Sequence, residues 1–194
     1  MSDQLSQEEK HKILTKVIQD EIINSGINFR QNIVEFGCVN NEAAFIKNIN
    51  SYNGYIEYTG VDINENKLLL LRDEFNDKNF QFLTSSMQEY IDDIENSEDS
   101  DKPKVDWFII SNIFDKPIYE ENQYNFLDTI LRNCLENSNI GVSFTFNNSK
   151  SDKDYYNIDY ITAYIHASFY RYKIVRFNEN EYLITVYKYF LQTN

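Results

Sequence analysis

The feature that most constrains this chain is an alternation of short β-rich runs with helical stretches, broken only at the end, where two strand-like runs follow one another directly. Parallel strands need a long crossover, usually a helix, to bring the chain back, so such an alternation builds a mostly parallel sheet with helices on both faces. Asn32-Ile33-Val34-Glu35-Phe36 reads as the first strand and stops at Gly37. The second runs from Ile56 to Asp62, the third over Phe80-Gln81-Phe82-Leu83, the fourth from Val105 to Ile110 and the fifth from Gly141 to Phe146. Tyr172 to Phe177 and Tyr182 to Tyr189 then follow without a helix between them, joined by Asn178-Glu179-Asn180-Glu181, a turn in which Asn tolerates the positive φ that hairpins need. The expected sheet is therefore seven-stranded and closed by an antiparallel hairpin.

The helices are read from periodicity and caps. Ser6 and Glu9 have capping-box spacing, and Ile13, Leu14, Val17, Ile18, Ile22 and Ile23 recur at helical intervals until Gly26 supplies a stop. Asn40 or Asn41 is expected to cap a helix carrying Ala43 to Ile46, and Asn64 one in which Leu68 to Leu71, apolar without a break, presses on the sheet. Further helices are expected from about Tyr124 to Glu136 and around Tyr160 to Phe169. DIENSEDSDKPK, from Asp93 to Lys104, reads as a solvated loop rather than a metal site. At 194 residues the chain suits one domain, with residues 1–27 an amphipathic helix packed on a unit formed by 28–194.

Charge bounds the partners. With a formal net charge of −13 the surface is a poor phosphate binder, since nucleic-acid contacts come mainly from clustered Lys and Arg. A nucleic-acid partner is not expected. The opening MSDQLSQEEKHK is polar and acidic, and no run approaches the length of a membrane span, so no membrane partner is expected and the chain reads as cytoplasmic. Two cysteines, Cys38 and Cys134, make neither a disulfide framework nor a zinc site, and no metal is expected. The 15 Tyr and 14 Phe against 5 Gly and 2 Pro point to a packed protein rich in amphipathic rings.

Particular segments carry a resemblance. NIVEFGC is similar to the first motif of class I S-adenosylmethionine-dependent methyltransferases, an apolar strand ending in an acidic residue, a spacer and a glycine. YTGVDIN resembles their second motif, a strand ending in Asp. VDWFIISNIFD and GVSFTFNN resemble the fourth and fifth strands of small bacterial and phage methyltransferase-like proteins, and YYNIDY with YRYKIVRFNENEYLITVYK resembles their tail. The resemblance covers most of residues 30 to 189 and implies a Rossmann-like class I methyltransferase fold.

It also implies a cofactor, S-adenosylmethionine, at the carboxyl ends of the strands, where the chain order of an open parallel sheet reverses. On that resemblance Gly37 lets the backbone approach the cofactor, Glu35 stands behind the loop, and Asp62, followed by Ile63, accepts hydrogen bonds from the ribose hydroxyls. Cys38 is a small packing residue at the spacer. Ser85 or Ser86 lies beside the adenine, Ser111 and Asn112 line the methionine end, and Tyr119 is their neighbour. Val39 and Asn41 stand where the family commonly has further glycines, which implies a different course for the loop or a narrower groove.

No catalytic residue is assigned. His166 sits among Tyr164, Ile165, Phe169 and Tyr170, where a packed or surface histidine is commoner than a general base, and His11 has nothing nearby to complete a site. The leading expectation is methyl transfer to a small-molecule or glycan acceptor; Ser111-Asn112-Ile113-Phe114 lacks the signature of base-amine methylation. A second reading is a silent methyltransferase-like fold that binds a protein partner in an assembly, of phage origin. A third, a nicotinamide-binding oxidoreductase, is disfavoured by the closing hairpin.

Overall fold

A computed structural model describes residues 6–24, 31–41, 44–49, 56–96, 105–111, 113–114, 123–147 and 157–188. Seven strands form one sheet: β1 (Gln31–Phe36), β2 (Ile56–Asp62), β3 (Phe80–Thr84), β4 (Val105–Ile110), β5 (Ser138–Asn147), β6 (Tyr172–Arg176) and β7 (Glu181–Tyr187). Their spatial order is β3-β2-β1-β4-β5-β7-β6. The first five are mutually parallel where they pair, whereas β7 runs antiparallel to both β5 and β6. The chain winds outward one way from β1 to β3 and the other way from β4, so the order reverses between β1 and β4.

The helices are α1 (Gln7–Asn24), α2 (Ala44–Ile49), α3 (Glu65–Glu74), α4 (Met87–Glu95), α5 (Gln123–Glu136) and α6 (Ile158–Ser168). Strand alternation divides the interior in two. Ile33, Tyr58, Trp107 and Ile109 face one way and pack with Leu14, Val17 and Ile18 of α1, Phe45 and Ile46 of α2, and Leu68 and Leu71 of α3. Val34, Phe36, Phe108, Ile110, Val142 and Phe144 face the other way, with Met87 and Ile91 of α4, Leu127, Ile130 and Leu131 of α5, and Ile161 and Ile165 of α6.

The caps are local chemistry. Ser6 donates its backbone N–H to the Glu9 carboxylate at 2.7 Å while Glu9 N–H donates to Ser6 Oγ at 3.2 Å. Asn64 caps α3 by accepting from Lys67 N–H at 3.2 Å. At the hairpin, Asn178 acts through its side chain: Oδ1 accepts from the N–H groups of Asn180 and Glu181 at 2.8 and 3.0 Å. Lys10, buried on α1, donates to Glu181 Oε1 at 2.6 Å and so fastens the first helix to the start of β7.

Several expectations are corrected. Only Leu68 and Leu71 of the apolar run press on the sheet; Leu69 and Leu70 face solvent, because a helix turns about 100° per residue and cannot bury four successive side chains on one face. Asn40 and Asn41 belong to a 3₁₀ turn, Cys38–Asn41, and α2 is described from Ala44; their side chains and residues 42–43 lie outside the described residues. Asp93 to Glu95 belong to α4 instead of a loop, an element the periodicity reading passed over. β5 starts at Ser138, three residues before Gly141. Gly26 and residues 97–104 lie outside the described residues.

The α4 helix depends on Ser86. Its Oγ accepts from Glu89 N–H at 3.2 Å and its own N–H donates to the Glu89 carboxylate at 2.9 Å, which holds that carboxyl below its ordinary range. Ser86→Ala should lower stability by about 1 kcal/mol, the usual worth of an N-cap, read as a shift in urea midpoint at constant slope. An unchanged midpoint would contradict this assignment.

Candidate functional site

The reversal between β1 and β4 opens the sheet's carboxyl edge, and the chain leaves β1 at that opening. Gly37 N–H donates to Val61 O at 2.9 Å, and Ser111 N–H donates to Phe36 O at 3.0 Å, so the exit is held from both neighbouring strands. Gly37 has φ +76°, and a Cβ there would stand 2.5 Å from the carbonyl oxygen of Ser111. Only glycine satisfies both conditions.

Past Gly37 the backbone closes into the 3₁₀ turn, whose φ values near −60° a β-branched residue adopts without strain. This is how the loop accommodates Val39 where a glycine was expected: its course differs, and the Val39 side chain is buried in the core beside Cys38, Phe45 and Ile46. Val39 N–H donates to Asp62 Oδ2 at 3.3 Å, which ties the turn to the end of β2.

Behind the turn lies a buried carboxyl group. Glu35 is wholly excluded from solvent and accepts from Tyr58 Oη at 2.6 Å and Ser111 Oγ at 2.7 Å. Register explains the geometry: Glu35 stands opposite Gly60 on β2 and Ile109 on β4, so its donors are the residues two before one and two after the other, on the same face. Gly60 leaves space that the loop uses, since a Cβ there would lie 2.9 Å from Cys38 Sγ. Burial, then the Glu35 charge, pushes the Tyr58 hydroxyl well above its ordinary value of 10.0. Burial and the charges of Glu35 and Asp62 push the Cys38 thiol up likewise, which disfavours the thiolate.

Asp62 is half-buried at the strand end. Its Oδ1 accepts from Asn64 N–H at 2.9 Å and its Oδ2 from Val39 N–H at 3.3 Å. An ionised carboxylate offers about four lone-pair sites, so roughly two remain for donors from outside. Next to it Ile63 is 77% exposed, an unusual cost for a large apolar side chain. Ser85 N–H donates to Asp62 O at 3.2 Å, which brings the start of the β3–α4 connection to the same edge, and its hydroxyl donates to Ser86 O at 3.1 Å.

The sequence-expected residues therefore divide. Glu35, Gly37, Cys38, Asp62, Ile63, Ser85, Ser86 and Ser111 all come to the carboxyl ends of β1, β2, β3 and β4. Among them Glu35, Cys38 and Ser111 are buried, and the Ser86 hydroxyl is committed to its cap; Ile63 is exposed, and Asp62 and Ser85 are partly exposed. Asn112, Tyr119 and the side chain of His11 lie outside the described residues. His166 is exposed, its Nδ1 2.6 Å from Tyr172 Oη on β6, four strands from β1. At about 4.8 Å per strand it is far from the opening.

Sequence reasoning missed Tyr58 as the partner of Glu35. The signal was an acidic residue inside an apolar strand, which needs a donor on a neighbouring strand. It also missed the Ser-x-x-Glu cap at Ser86, which commits that hydroxyl elsewhere. A groove of about 310 Å³ lies away from the opening, along β3 and the end of α3. It is lined by Arg72, Phe75 and Phe80 among others, and Arg72 already donates to Phe82 O at 3.1 and 2.7 Å. Among the described residues no cluster of His, Cys, Asp and Glu could hold a metal ion, and no helix is long and apolar enough to cross a membrane.

Comparison with solved structures decides the fold. The CurJ carbon methyltransferase superposes with a TM-score of 0.64 at 14% identity, over 91% of this chain and 53% of that one. The chain has the class I methyltransferase fold. TrmK of M. capricolum, in complex with S-adenosyl-homocysteine, matches with a TM-score of 0.57 at 13% identity, over 95% of this chain and 69% of that one. The 16S rRNA methylase ArmA gives 0.56 at 17% identity, over 96% and 92%. The chain thus spans about half the length of CurJ and most of ArmA. No protein-family model matches the sequence, and no curated protein does.

In this methyltransferase-fold chain the buried pair carries a pH signature. Tyr58, ordinarily at 10.0, and Cys38, ordinarily at 9.0, are both raised by folding, so their contribution to stability is complete below those values and is lost as pH rises toward the folded-state values. The unfolding midpoint should fall from about pH 9 upward. Tyr58→Phe should be less stable at pH 7 by roughly 2 kcal/mol, one hydrogen bond to a charged group, and should lose less per pH unit above 10. Parallel pH profiles for the two proteins would contradict the pairing.

Proposed function

We propose that this protein is an S-adenosylmethionine-dependent methyltransferase that acts on a small-molecule or sugar acceptor. The observation that carries the reading is the arrangement at the β1–β4 opening. A glycine without room for a Cβ stands beside a half-exposed Asp62 carboxylate with lone pairs to spare, and Ile63 exposes apolar surface to solvent.

These residues fit the cofactor's chemistry. Asp62 would accept from the two ribose hydroxyls, Ile63 and Ser85 would meet the adenine with an apolar face and a hydroxyl, and the backbone from Gly37 to Val39 would lie along the methionine portion. When bound, S-adenosylmethionine would supply a methyl group on a sulfonium, for transfer to an acceptor oxygen or nitrogen whose proton would pass to solvent as a neutral thioether leaves. The protein's part is to align the groups and exclude water, with Glu35 fixing the loop from behind. The S-adenosyl-homocysteine bound by TrmK supports the cofactor assignment.

The acceptor class rests on charge. ArmA acts on rRNA, but a net charge of −13 repels a polyphosphate. The silent-fold reading drew on Val39 and Asn41: the Val39 side chain is buried in the core, which removes its part of that support, and the Asn41 side chain lies outside the described residues.

Isothermal titration with S-adenosylmethionine and S-adenosyl-homocysteine tests the reading. Both should bind the native protein, and Asp62→Ala should weaken them about tenfold or more, a loss of about 1.4 kcal/mol. Absence of binding by either compound to the native protein would overturn the proposal.

A further inference from the structure

Two tyrosines on the first turns of α5 and α6 are not used by the cofactor reading. Their rings lie 4.2 Å apart between centroids, tilted by 51°. Tyr124 Oη accepts the Asn157 N–H at 3.1 Å, and Asn157 in turn caps α6 by accepting from Asp159 and Tyr160 N–H groups. Tyr160 remains 54% exposed.

Topology places this pair on the rim that carries Gly37 and Asp62. α5 follows β4, and α6 follows β5 and leads to β6, which is parallel to β5 because both are antiparallel to β7. A crossover helix starts where its strand ends, so both first turns stand at the carboxyl edge of the sheet. Packed side chains connect the two places. Ile113 Cγ1 lies 3.1 Å from where a Cβ of Gly37 would be, and the next residue, Phe114, is buried edge-on against Phe126 of α5 with centroids 6.3 Å apart.

Helix docking does not require the exposed ring. Ile161 and Ile165, both fully buried, anchor α6 to the sheet. Among the described residues the charges carried by α5 and α6 are Asp128, Arg132, Glu136 and Asp159, and Arg132 Nε is already held by Asp128 at 2.8 Å, so the two helices are net acidic. Tyr164 also donates to Asp128. An anionic ligand is repelled there, whereas an uncharged ring finds a π face and adjacent acceptors for its hydroxyls.

Resting on the methyltransferase reading, we propose that Tyr124 and Tyr160 form the stacking wall of the acceptor site, and that the acceptor is an uncharged ring bearing a hydroxyl or amine. Sugars and arenes share this chemistry. Saturation-transfer NMR with excess S-adenosyl-homocysteine distinguishes them, with methyl β-D-glucopyranoside as the sugar, 4-nitrophenol at pH 5.5 as the neutral arene and 4-nitrophenyl phosphate as the anionic control.

At least one neutral probe should receive saturation from the native protein, and Tyr160→Ala should weaken its binding about fivefold while Tyr160→Phe retains it, as expected for the loss of a ring face. Strongest transfer to the phosphate, no transfer to either neutral probe, or equal transfer with Tyr160→Ala would overturn the proposal. Circular dichroism should show Tyr160→Ala folded, and its affinity for S-adenosyl-homocysteine should be unchanged. A native protein that binds a neutral probe through Tyr160 but not S-adenosyl-homocysteine would retain this site and refute the cofactor reading alone.

Discussion

The carboxyl group of Glu35 is the constraint on which the rest depends. It is fully buried in the middle of a seven-stranded sheet and accepts one hydroxyl from β2 and one from beyond β4. A buried carboxyl without donors is costly, so the three strands must hold one register for the group to be satisfied. Those are the strands flanking the reversal of chain order, and the clasp sits one residue before the chain turns out of β1. The position of the Gly37 exit, of Ser111 beneath it and of Cys38 over Gly60 all follow from that register.

The clasp has a consequence for the loop. With Gly37 held by Val61 and Ser111 held by Phe36, the turn that follows starts from a fixed point and direction. It needs one residue in the left-handed region, not several, because it closes as a 3₁₀ turn and buries Val39 and Cys38. Backbone N–H groups then hold Asp62 in place without using all of its acceptor capacity. A site that looks depleted in glycine is built by packing in place of backbone freedom.

Much of the fold was legible because its signals are local. Short β-rich runs gave all seven strands within a few residues, and the absence of a helix between Tyr172 and Tyr187 announced the antiparallel closure. What was missed needed a competing signal to be weighed. The acidic tail of α4 hid a helix that Ser86 and Glu89 cap, and four successive leucine-like positions of α3 hid the exposure of Leu69 and Leu70. In the site, Gly37 and Asp62 were named through the resemblance of NIVEFGC and YTGVDIN to methyltransferase motifs, and both lie at strand ends. The roles of Ser111 and Ser86 were not, since a hydroxyl's availability depends on which neighbours have already claimed it, and those neighbours are set by register and caps.

On the proposed reading a ligand meets this protein at the β1–β4 opening. A ¹H–¹⁵N correlation spectrum recorded during titration with S-adenosyl-homocysteine tests it most directly. The amides of Gly37, Val39, Asp62, Ile63, Asn64 and Ser85 should shift together and saturably, while those of β6 and β7 stay in place. Shifts confined to β6, β7 or the β3 groove, with the opening unmoved, would contradict it.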